Sequence, residues 1–71
     1  MMTKSELRER AGDLAVEAYN KGCRRHEAVI MACAIERREV MILEMEKFLS
    51  ERETVTTEEI FKETMRLEKL Y

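Results

Sequence analysis

His26–Leu49, HEAVIMACAIERREVMILEMEKFL, contains most of the chain's large apolar residues in one run free of proline and glycine, and its periodicity decides the fold. At roughly 100° per residue, Met31, Ala34, Ile35, Met41, Ile42, Met45, Phe48 and Leu49 share one face, the i, i+3, i+4, i+7 recurrence of a core-facing helix. Arg38 falls near the middle of that stripe, where a hydrocarbon is expected. Val29, Ala32, Cys33, Val40 and Leu43 form a narrower stripe on roughly the opposite side. Nothing between Cys23 and Glu51 breaks a helix, so the pattern predicts one helix over about residues 23–51, a rod of roughly 43 Å at 1.5 Å per residue.

Two shorter helices flank it. Thr3-Lys4-Ser5-Glu6 has capping-box spacing, with Met2 and Leu7 placed for a hydrophobic staple, and predicts a first helix over about residues 4–20. Its stripe of Leu7, Ala11, Leu14, Ala15 and Ala18 is mostly small, which permits close helix approach. Asn20-Lys21-Gly22 ends it, with Gly22 suited to a left-handed C′ position. Thr56-Thr57-Glu58-Glu59 is a second capping box, with Val55 and Ile60 at staple spacing, and predicts a third helix over about 57–70. That helix carries Ile60, Phe61, Thr64, Leu67 and Tyr71 on one side.

Composition narrows the class. A 71-residue chain with no proline, 45% hydrophobic residues and no strand-type alternation is expected to be all-α. The charged fraction is 39%, mixed in sign, with a net charge of −2, which favours neither nucleic acid nor an anionic membrane overall. The longest apolar run, Ala28–Ile35, is too short for a bilayer, and the polar start lacks the apolar core of a signal peptide. The two cysteines lie ten residues apart on one expected helix, too far to bridge one another, which suits a reduced, cytoplasmic setting.

A domain of this size is marginal on its own core. With a rod in the middle, each half has only one short helix as neighbour. Two rods packed antiparallel would place the first helix of one copy beside the third of the other. The expected architecture is therefore an antiparallel homodimeric bundle of three-helix chains. Its interface would hold Val29, Met31, Ile35, Arg38, Met41, Ile42, Met45, Phe48 and Leu49.

Candidate binding residues are few. Arg38 is either paired with a glutamate of a neighbouring helix or an anion or register-setting site. Lys21, Arg24, Arg25 and His26 form a cationic cluster at a helix start, where free N–H groups favour anions, and they otherwise solvate the turn. Ala18, Gly22, Cys23, Ala28 and Met31 also resemble the small, turn and core positions of a helix-turn-helix, with Arg24, Arg25 and His26 opening a recognition helix. A recognition helix needs a polar groove-facing side, whereas this one is apolar over much of its circumference.

Chemistry finds less support. Cys23-x-x-His26 is half a zinc site, but Cys33 lies about 10 Å further along the helix. Glu36-x-x-Glu39 lacks the Glu-x-x-His partner of a di-iron bundle. Met31, Met41 and Met45 suit core filling, and His26 has no nucleophile beside it. No catalytic, metal or cofactor site is therefore expected. The function that fits is binding of a macromolecule, foremost a protein partner, as a regulator, adaptor or inhibitor, with DNA binding or a structural role as alternatives.

Overall fold

Both capping boxes form. In the computed structural model, which describes residues 1–71, the Thr3 and Thr56 hydroxyls accept from the Glu6 and Glu59 N–H groups, and each glutamate accepts in return from the threonine N–H. Those bonds hold the Glu59 carboxyl below its ordinary range, chiefly through the Thr56 N–H and hydroxyl. They start α1 (Lys4–Asn20) and α4 (Thr57–Leu70).

The long rod does not form. The stretch divides into α2 (Arg25–Ile35) and α3 (Glu39–Ser50), with Glu36 and Arg37 in a turn and Arg38 extended at φ −144°, ψ 142°. The fold is an all-α globule of four helices within one chain, without strands. Its longest dimension is 29 Å, too short for a ~43 Å rod. No helix is long and apolar enough to cross a membrane.

Packing overrides local propensity at the break. Reversing the chain places Met31 and Ile35 of α2 in the same interior as Met41, Ile42, Met45 and Leu49 of α3, all at most 2% exposed. Burial of each contributes about 1.5–3 kcal/mol, whereas a rod with one neighbour per half leaves much of that surface wet. The cost is a helix end and a helix start, about four orphan groups each. They lie beside exposed Arg37 and Arg38, where water satisfies them at small expense.

The homodimeric bundle fails for the same reason. Met31, Ile35, Met41, Ile42, Met45 and Leu49, assigned to an interface between copies, are buried against their own chain, and Phe48 packs half-buried on that core. Val29 is exposed on α2, and Arg38 lies at the exposed α2–α3 corner, outside any apolar stripe. The core that the second copy was invoked to supply is closed by the chain itself.

The α1–α2 turn ends in a Schellman motif. Cys23 N–H donates to Ala18 O (3.0 Å) and Gly22 N–H to Tyr19 O (3.1 Å), with Ala18 and Cys23 both buried. Gly22 has φ +117°, and a Cβ there would lie 3.0 Å from the Val55 carbonyl oxygen. Val55 N–H in turn donates to Lys21 O at 2.9 Å, tying the α3–α4 connection to this turn.

Ion pairs record how the helices run. Arg8 faces Glu36 (3.9 Å) with α1 and α2 antiparallel. Arg24 N–H donates to Thr57 Oγ1 (3.3 Å) at one end of α2 and Arg37 meets Glu68 (3.8 Å) at the other, so α2 and α4 are parallel. Arg66–Glu44 (3.7 Å) and Arg52–Glu59 (3.8 Å) hold α4 antiparallel to α3 and its C-terminal connection. These largely exposed pairs set orientation more than stability, at about 0–1 kcal/mol each.

Candidate binding groove

Besides its core-facing stripe, α1 has a second line of residues, Gly12, Val16 and Tyr19, at i, i+4, i+7. It faces the minor stripe of α2, and together they line an open groove of about 630 Å³. Gly12, Ala15, Val16 and Tyr19 supply one wall and Ala28, Val29, Ala32 and Cys33 the other. Small side chains on both helices leave the space between them unfilled. Val16, Tyr19 and Val29 are each more than half exposed, so the walls present apolar surface to water.

The two ends differ. Arg8 and Glu36 close one end as an ion pair at 3.9 Å. At the other stand Asn20 and Arg25, with Arg24 and His26 adjacent in sequence. The Arg24, Arg25 and His26 side chains are exposed and have no hydrogen bond or ion pair within the chain. The α2 N-cap, Arg24, provides no side-chain cap, so the first N–H groups of α2 have no partner from it.

Of the predicted cationic cluster, only that trio is free. Lys21 is a structural residue: its ammonium donates to the carbonyls of Leu49 and Arg52 (2.7 Å) and lies 3.4 Å from Glu17. It thereby satisfies carbonyls at the end of α3 and binds that end to the α1–α2 turn. Arg38, at the corner, is not brought near this trio or near a carboxylate partner.

Cys23-x-x-His26 and Glu36-x-x-Glu39 gather no further ligands around them. Cys23 is buried, which pushes its thiol up, whereas Cys33 is exposed in the groove. No three His, Cys, Asp or Glu side chains come together as a metal site. Glu36 faces Arg8 rather than pairing with Glu39. A smaller depression between α3 and α4 is polar, and Arg66 there is paired with both Glu44 and Glu63.

Half of the groove was legible beforehand. Val29, Ala32 and Cys33 belong to the predicted minor stripe, but the matching α1 line does not stand out in the sequence because glycine dilutes its apolar signal. Its spacing was the available clue. No protein-family model, curated protein or solved structure matches the chain.

Proposed function

We propose that this chain acts by binding a segment of another protein in the α1–α2 groove, as a non-enzymatic regulator, adaptor or inhibitor. The observation that carries this reading is Gly12. Glycine within a helix costs about 0.8–1.0 kcal/mol relative to alanine, and such a cost has a structural reason where another group must approach the backbone. Apart from its chain neighbours and the adjoining backbone of α1 itself, no atom lies within 4 Å of the position a Cβ would occupy at Gly12. The open space is the groove itself, and an incoming side chain fits it.

Recognition is apolar, through Val16, Tyr19, Val29 and Cys33, a concave surface of the kind that captures amphipathic segments. A cytoplasmic setting suits it, since the exposed Cys33 thiol is retained in a reducing compartment. DNA is the weaker alternative, because the exposed face of α2 continues from Arg25 and His26 into Val29, Ile30 and Cys33, which offer neither charge nor a strong hydrogen bond to base edges or phosphates.

The test is a selection from phage-displayed helical peptides, with the enriched sequences synthesised and titrated against wild type and Gly12→Leu. Leucine at position 12 projects into the groove from a point where its Cβ meets no neighbouring helix, and so occupies space an incoming side chain would need. Binding by wild type, lost in a Gly12→Leu protein of unchanged helicity, is expected. Enriched peptides that bind both proteins equally would place recognition elsewhere.

A further inference from the structure

We infer that the groove takes an amphipathic helix of another protein whose one end bears carboxylates that meet Arg24, Arg25 and His26. This identification of the occupant rests on the groove's being the binding site.

Hydrogen bonding selects a helix. The groove walls are helical backbones already bonded internally, and the fold has no strand or sheet edge to pair with an extended peptide. An extended segment would bury its own N–H and C=O groups against Val16, Val29 and Ala32 without partners, at roughly 1–3 kcal/mol for each unpaired group. A helix satisfies its backbone internally and presents only side chains. From Arg8 to Asn20 the α1 wall runs about 18 Å, room for roughly three helical turns, hence apolar anchors at i, i+4 and i+7.

Charge sets the polarity. At the closed end Arg8 and Glu36 neutralise one another. At the open end Arg24, Arg25 and His26 have no partner in the chain, and the uncapped N–H groups of α2 add partial positive charge. Glu27 is the one carboxylate on the same turn. It is half-buried, with one oxygen shielded from solvent, and forms no ion pair with the exposed trio. Arg24 and Arg25 are consecutive and exposed, and a guanidinium suits bidentate recognition of a carboxylate.

The experiment uses stapled helical peptides of about 14 residues, long enough for three turns. They share one Leu/Ile/Phe stripe and differ only in ending with two glutamates or two lysines, placed in separate peptides at either terminus. Binding to the intact chain is followed by fluorescence anisotropy. At least one glutamate-ended peptide is expected to bind about tenfold or more tightly than its lysine twin, with a preference that shrinks as salt rises. The Arg24→Glu/Arg25→Glu protein should reverse that preference. Val29→Asp or Val16→Asp, both exposed positions, should abolish binding of every peptide.

Equal affinity for the two charge series, or no reversal in the double variant, overturns the carboxylate assignment. If Val29→Asp still abolishes binding in that case, the groove reading stands. Peptide binding indifferent to Val29→Asp and Val16→Asp, or no binding at all, overturns both. Preferential binding of duplex DNA, lost in Arg24→Ala/Arg25→Ala, also overturns the inference by assigning the trio to phosphates.

Discussion

Arg38→Ser reports directly on the corner between α2 and α3. Arg38 is the N-cap of α3, with extended backbone angles, and its carbonyl accepts from Met41 N–H (3.1 Å) and Ile42 N–H (3.3 Å). Its side chain provides no cap and forms no ion pair, so substitution removes nothing. A serine hydroxyl there reaches an orphan N–H of the first turn, and a good N-cap contributes about 0.5–2 kcal/mol, typically ~1. The total for a chain of this length is about 4–11 kcal/mol at ~0.05–0.15 kcal/mol per residue, so the gain is resolvable. In a continuous helix the sign reverses: arginine to serine within a helix loses up to ~0.7 kcal/mol of propensity. Urea denaturation followed by circular dichroism should show a higher midpoint at unchanged slope for Arg38→Ser. A lower midpoint would refute the corner and restore the rod.

Gly12→Ala should raise stability by about 0.5–1 kcal/mol, since the methyl group meets nothing, and should raise Tm by a few degrees; a loss would mean that the groove floor is occupied. Gly22→Ala should act in the opposite direction, by about 1–3 kcal/mol in thermal unfolding, because φ +117° disfavours an L side chain and the Val55 carbonyl stands 3.0 Å from its Cβ; a neutral result would contradict the Schellman turn. With a thiol reagent, exposed Cys33 should react promptly, while Cys23, buried and with its thiol pushed up, should react only as the chain unfolds. Equal rates for the two thiols would place Cys23 outside the core.

The helix starts were legible because capping is local. Thr3 with Glu6, and Thr56 with Glu59, carry their partners within one turn, and Gly22 likewise encodes its own turn. The break in the long stretch is not local. Glu36-Arg37-Arg38-Glu39 contains no helix breaker, and Ile35, Met41 and Ile42 remain in phase across it, so periodicity alone extends the helix. The clue was Arg38, a charge in the middle of an apolar stripe, which marks the point where the stripe leaves the core. The preference for reversal arises only when α1 and α4 pack around α2 and α3, a property of the whole interior. The groove was half visible for a related reason: the α2 wall shows as apolar residues, whereas the α1 wall depends on Gly12, whose contribution is the absence of a side chain.

The groove exists only if the chain reverses at Arg38, so the most direct measurement is small-angle X-ray scattering with static light scattering on the same samples across a wide concentration range. The account predicts the mass of one chain, 8.4 kDa, and a radius of gyration near the 10.7 Å of the Cα trace, slightly enlarged by side chains and hydration. Twice that mass with a radius of roughly 14 Å or more, as a bundle built on ~43 Å rods requires, would contradict it.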